Sequence, residues 1–275
     1  MPITFTLDLE DHLDVYEANG RWVMNTEKLL EFCAARNIRG TFFTVGKVAN
    51  SAPQLLKKMI AEGHELALHS YDHIPLTRED AATYGPKLLD AKKRFEDITG
   101  KKIEGFRAPV FSLTPKSRWA VDVLTAQGFV YSSSVIAGQG AFAGYPGAPN
   151  TPFKWSTGLI EVPVPVVRLG RASLPYLGGV YLRYLPLVLV RALEKRADKN
   201  ALLWTYLHPY DIDAEEGFVK LHDGTPMWAN MLLMNNRAGF LKKISRLLET
   251  NSAPPLIERV KGLSPLPGLS AHFAG

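Results

Sequence analysis

The sequence predicts an α/β fold built on a parallel sheet or barrel. Three observations carry that expectation. Short β-rich runs alternate with helix-spaced segments through most of the 275 residues. Helix punctuation recurs between them, with Pro53 and Pro115 in first turns and Gly63, Gly100 and Gly128 at ends. Ionisable residues stand just after several β-rich runs: Asp8, His69, Arg107 and His208. At the carboxyl ends of parallel barrel strands such residues gather around one mouth.

In chain order, residues 3–7 read as a buried strand ending in a carboxylate cluster, Asp8, Glu10 and Asp11. Residues 25–36 have helical spacing, with Asn25 or Thr26 as N-cap. Residues 40–46 are a β-rich run between glycines, and 51–61 a second helix. Residues 65–68 read as a buried strand leading into His69-Ser70-Tyr71-Asp72-His73. Residues 77–99 form a longer helix with Gly85-Pro86 as an internal flaw. A strand-to-loop element at 105–109 precedes a helix at 114–127 and a strand at 129–131. Residues 137–158, rich in Gly, Ala, Pro and Ser, read as a long loop. A strand at 160–163, a helix at 185–197, a strand at 202–207 and a helix at 235–249 complete a single domain over residues 1–250. Residues 251–275, rich in Pro, Gly and Ser, are expected to be a loosely ordered tail.

Composition excludes several function classes. The chain is 46% hydrophobic and 21% charged, ordinary for a soluble globular protein. A net charge of +5 without a basic block argues against nucleic-acid binding. Cys33 is the only cysteine, so no intrachain disulfide can form. No apolar run reaches 18 residues, so no membrane span is expected. The start of the chain lacks the basic and apolar regions of a signal peptide, and a cytoplasmic location is expected.

His69 and His73 are four residues apart. A strand opening into one helical turn would set both imidazoles on one side, a natural pair of ligands for a divalent metal. A surface turn with two incidental histidines is the alternative. The pair needs a third ligand, usually a carboxylate, and the acidic strand end supplies candidates. Asp8 and Glu10 alternate onto one face if the strand continues; Asp11 joins them if the chain turns. Zinc is the first choice, while cobalt, nickel and iron suit the same donors.

The ordered set of motifs over residues 3–210 resembles the polysaccharide deacetylases of carbohydrate esterase family 4. That resemblance implies a distorted (β/α) barrel and a metal-dependent N-deacetylase acting on an N-acetylated sugar of a bacterial surface polysaccharide or its precursor. The family's opening aspartate pair makes Asp8 the catalytic base and Asp11 the metal ligand, with Glu10 as the alternative. Its His-Ser/Thr-x-x-His motif makes His69 and His73 ligands. Its Arg-x-Pro motif makes Arg107 the residue that orients the base and puts Pro109 at the substrate. Its histidine after a late strand, here Leu207-His208-Pro209, is the general acid. Tyr131-Ser132-Ser133-Ser134 departs from the family's Tyr-Asp-Ser-Ser by placing Ser132 where aspartate is usual. Gly178-Gly179-Val180-Tyr181-Leu182-Arg183, with His-Pro-Tyr-Asp, is similar to a subgroup encoded near bacterial exopolysaccharide genes. By that likeness Arg183 is a substrate-binding candidate, with surface packing as the alternative. A cyclic amide or imide hydrolase on the same fold, an inactive glycan-binding relative, and an assembly subunit of a glycan-building complex are the rival readings. His12, His64, His222 and His272 match no motif.

Overall fold

Residues 3–9 run through the middle of the molecule, and the other strands are laid out on either side of them. The structure is a computed structural model, and it describes residues 1–138, 144–169, 172–220 and 226–263. The strands are β1 (Ile3–Thr4), β2 (Thr6–Leu9), β3 (Thr41–Thr44), β4 (Glu65–Leu68), β5 (Gly105–Phe106), β6 (Tyr131–Ser132), β7 (Phe153–Lys154), β8 (Ile160–Glu161), β9 (Val167–Leu169), β10 (Ala172–Leu174), β11 (Leu203–Trp204) and β12 (Ser252–Ala253). The α-helices are α1 (Arg21–Ala34), α2 (Val48–Ser51), α3 (Pro53–Ala61), α4 (Ala81–Thr99), α5 (Trp119–Ala126), α6 (Gly179–Tyr184), α7 (Leu187–Glu194), α8 (Met227–Met234), α9 (Phe240–Leu248) and α10 (Leu256–Lys261).

The main sheet has the order β2-β3-β4-β5-β6-β8-β7, parallel from β2 to β8 with β7 antiparallel at the edge. On the other side of the hub, β1 lies between β11 and β12, both parallel to it. The bridge between Leu7 and Leu207, in which Asp8 N–H donates to Leu207 O at 2.8 Å, carries the curl past β2. The expected α/β fold with a distorted barrel is therefore what forms. Every residue of β2 and β3 is buried, because helices cover the outer face while side chains fill the inner one. Parallel registers bring the strands' carboxyl ends to one rim: Leu9 is level with Thr44, Thr44 with Leu68, and Leu68 with Phe106.

Three elements differ from the sequence reading. The helix expected from residue 77 begins at Ala81, after a separate 3₁₀ turn over Leu76–Arg78; as expected it carries Gly85-Pro86 inside it, where the Gly85 carbonyl accepts Gln127 Nε2–H at 2.7 Å, and ends at Gly100, φ +66°. The expected loop at 137–158 contains β7, which pairs with β8, while residues 139–143 lie outside the described residues. The segment after residue 250 is not loose as far as it is described. β12 adds a strand beside β1, Leu256 and Val260 of α10 are buried, and Arg259 donates to Leu203 O at 2.8 Å. Those two apolar anchors, four positions apart on one face of the helix, outweigh the Pro-rich composition that suggested a tail. Residues 264–275 lie outside the described residues.

Candidate active site

Glu10 leaves the end of β2 and meets both histidines. Its Oε2 is 2.5 Å from His73 Nε2 and 3.3 Å from His69 Nε2. One ligand-type atom from each of the three residues falls within 4.8 Å of the others. The expectation that Asp11 is the third member does not hold. Its Oδ1 accepts the N–H groups of Leu13 (2.7 Å) and Val15 (3.3 Å), so Asp11 caps the turn that follows the strand. The alternation of β2 continues one residue past its end, which turns Asp8 and Glu10 inward and Asp11 away. The histidines converge by a different route than a helical turn. Ser70 (φ +60°) and His73 (φ +63°) are both left-handed, and Ser70 Oγ accepts the His73 N–H at 3.0 Å. Strained non-glycine backbone of this kind persists where surrounding structure over-determines it, as at functional sites.

The donor chemistry fits a divalent cation. His69 Nδ1 lies 2.9 Å from Arg107 O, and a carbonyl can only accept, so Nδ1 carries the proton. The lone pair on Nε2 is then aimed at an anionic carboxylate, an arrangement that calls for a positive centre between them. Burial opposes the charge on Glu10, but His73 and His208 outweigh it and hold the carboxyl well below its usual range. Two imidazole nitrogens and a carboxylate form a three-ligand set that leaves coordination positions for water or substrate.

Asp8, two residues before Glu10, faces a different partner. Arg107 Nη1 is 2.5 Å from Asp8 Oδ1 and 3.0 Å from Thr6 Oγ1. The guanidinium is wholly buried, 3.8 Å above the Phe43 ring and 4.0 Å from the Trp204 ring, and donates to the Ser133 carbonyl and hydroxyl. Burial drives its pKa down, while Asp8 holds it up. A planar cation clamped between two aromatic faces fixes the Asp8 carboxylate in one orientation. Pro109, expected at the substrate, is buried at the head of a 3₁₀ turn. Its neighbour Val110, left-handed at φ +48°, is the exposed residue there.

His208 follows β11. Its Nδ1 is 3.0 Å from Asp211 Oδ2, which also accepts the His208 N–H at 2.8 Å, and its ring stacks on Tyr210 at 4.7 Å. Nε2 is left pointing at Glu10, 3.8 Å from Oε1. Burial pulls the imidazole down, but Asp211 and Glu10 more than reverse this and raise its pKa to about 9. Asp211 rests in turn on Arg183, whose Nε is 3.2 Å from Oδ1. Arg183 thus does not reach outward as the resemblance suggested. It is 3% exposed, and its other nitrogens donate to the carbonyls of Leu232, Leu233 and Asn235. Gly179 makes this approach possible, since a Cβ there would sit 2.1 Å from Asp211 Oδ2, while Gly178 lies against the Tyr206 ring in the same way. The sequence reading missed Asp211 as a partner of His208; the His-Pro-Tyr-Asp spacing, three residues along a turn, was its signal.

Ser132, standing where the family pattern has aspartate, is fully buried and donates to Ser134 Oγ at 2.8 Å. A carboxylate is present nearby from another strand. Glu161 accepts the N–H groups of Ser134 (2.6 Å) and Val135 (2.9 Å) and bonds to Ser132. The serine run thereby becomes a rigid support for Arg107 rather than a reactive group.

A strand-end Glu-His-His cluster stands beside a clamped Asp–Arg pair and a His–Asp pair, and its three donors could hold a divalent metal. The polysaccharide deacetylase family model matches residues 14–129, and a model for a domain of unknown function (DUF3473) matches residues 133–254. The peptidoglycan-N-acetylmuramic acid deacetylase of Bacillus subtilis is 35% identical over 77 residues, 28% of this chain and 29% of that protein. A chitooligosaccharide deacetylase of a Bradyrhizobium species is 28% identical over 99 residues, 36% of this chain and 43% of that protein. The chain thus spans less than half the length of these two relatives. A crystal structure from Mycobacterium smegmatis, provisionally described as a polysaccharide deacetylase, shares the fold with a TM-score of 0.61 at 18% identity, covering 95% of this chain and 91% of that one. Over residues 14–129 the chain therefore matches the polysaccharide deacetylase family, and its fold as a whole is that of the Mycobacterium smegmatis structure.

Proposed function

We propose that this protein hydrolyses the acetamido group of an N-acetylated sugar in a bacterial surface polysaccharide or its precursor, using one divalent metal. The carrying observation is the convergence of Glu10, His69 and His73 between two separately anchored ionisable groups, Asp8 and His208. A divalent ion held by those three side chains would acidify bound water and polarise the acetyl carbonyl. Asp8, kept in place by Arg107, takes the proton of the attacking water as its oxygen bonds to the acetyl carbon. His208, held by Asp211 and with its raised pKa still carrying a proton near neutrality, gives that proton to the sugar nitrogen as the C–N bond breaks. Acetate and a free amino sugar leave. The deacetylases named above support the substrate class. Zinc as the metal, exopolysaccharide synthesis as the process and the cytoplasm as the location belong to the same proposal.

The test is acetate release from N-acetylglucosamine oligomers and peptidoglycan fragments by protein loaded with zinc, cobalt or nickel. Release that depends on metal is expected. Ring opening of a cyclic imide without acetate release from any sugar would replace this reading with the imide hydrolase.

A further inference from the structure

Helices α6 to α9 form one continuous outer face, tied together from within. Arg183 of α6 bonds the last carbonyls of α8. Lys243 of α9 donates to the Arg183 carbonyl at 2.9 Å, and Arg191 of α7 donates to the carbonyls of Arg246 and Leu247. The outer side of this assembly is apolar to an unusual degree. Val188 is 78% exposed and Trp228 60%, and Met227, Met231, Leu189, Tyr184 and Leu232 are exposed with them. Tyr184 joins the two halves of the patch through its hydroxyl, 3.3 Å from Leu232 O. Large apolar side chains grouped like this are rare on a free surface.

The charges around the patch are predominantly basic, with Asp198 and Glu249, just beyond α7 and α9, as the exposed acidic exceptions. Among the residues of these four helices the sole acidic side chain is Glu194, which is buried and paired with Arg191 and the N-terminal amine. Arg191, Lys242, Lys243 and Arg246 lie on the same helices, and exposed Lys195 and Arg196 follow α7. An apolar face with a predominantly basic rim disfavours a second copy of itself and complements an anionic, apolar partner. A bilayer surface with anionic headgroups has that composition: Trp, Met and Val enter the boundary while Lys and Arg stay at the headgroups. No helix among the described residues is long and apolar enough to cross a membrane, so the contact is with the surface.

We propose that the α6–α9 face docks the protein on an anionic lipid surface. The experiment is co-sedimentation of the full chain with phosphatidylcholine vesicles, with and without phosphatidylglycerol at about one-third of the lipid. Preferential binding to the anionic vesicles is expected, weakening as salt rises. Trp228→Ser with Met231→Ser should reduce partitioning at least tenfold, and Lys195→Glu or Lys242→Glu by about fivefold each, with unchanged circular dichroism and deacetylase activity on soluble oligomers. Equal recovery on neutral and anionic vesicles, or full binding by the Trp228/Met231 variant, would overturn the proposal. So would a concentration-dependent dimer that the same variant abolishes, which would assign the face to self-association.

Discussion

Strand β4 has a histidine at each end, and the two have opposite fates. His69, at the carboxyl end, donates through Nδ1 to Arg107 O and leaves Nε2 open beside Glu10. His64, at the amino end, accepts the Gly40 N–H on Nδ1 at 3.0 Å and packs its ring on Phe42. The carboxylates differ in the same way. Glu10 meets imidazoles alone, whereas Glu65 is bonded by Tyr131, Thr41 and the Ile257 N–H. A surface groove lined by His64, Glu65, Glu104 and Glu258 at the amino end therefore offers residue types of the active site without its open valence. Identical chemistry at the two ends of one barrel becomes a site only where the hydrogen-bonding capacity is left unspent.

Substitution at the carboxyl end should remove chemistry and leave the fold. The largest effect is expected from Glu10→Gln, which should lose stoichiometric metal and with it detectable acetate release. Asp11→Asn should retain the metal, because that side chain caps the 13–15 turn. Metal analysis of both purified variants checks this, and metal loss confined to Asp11→Asn would reverse the ligand assignment. Next in size, His208→Ala should keep the metal and the fold yet reduce turnover on the order of 10²-fold or more. Asp211→Asn should lose about tenfold, as outer partners of a reacting imidazole do. If His208→Ala instead emptied the centre of metal, the histidine would be a ligand and the acid role would fall.

Much of this arrangement was legible in the sequence, because strand alternation and the His-Ser-x-x-His spacing are local signals. Asp8, Arg107 and His208 each stand at the end of an apolar run, and parallel registers bring those ends together. Three things were not legible. The Asp11-versus-Glu10 choice depended on how the chain leaves β2, which turns on the Asp11 carboxylate accepting the N–H groups of Leu13 and Val15. The burial of Arg183 depended on carbonyls some fifty residues away, at the end of α8. The order of residues 252–261 came from pairing with β1, a partner about 250 residues distant that no local pattern announces. Composition read the Pro-rich segment as loose because the stabilising contacts are entirely long-range.

The amino end should behave in the opposite sense, affecting stability and sparing catalysis. Burial lowers the His64 pKa to about 4, with Arg39 adding to the effect, against an ordinary value near 6.5. Above pH 6.5 the imidazole is neutral in both folded and unfolded chains, and its full contribution is present. As the pH falls below 6.5 the unfolded chain takes up a proton that the folded chain refuses, so stability declines until about pH 4. A shift of this size corresponds to roughly 3 kcal/mol lost across that window. His64→Asn places an acceptor near the position of Nδ1 but cannot take up the proton. It should cost some packing against Phe42 at pH 7, and the gap to the parent protein should shrink by about 3 kcal/mol on going to pH 4. Denaturant unfolding at both pH values measures the gap. A gap that stays constant would show that His64 does not carry the acid sensitivity, while acetate release at pH 7 should be the same in both proteins.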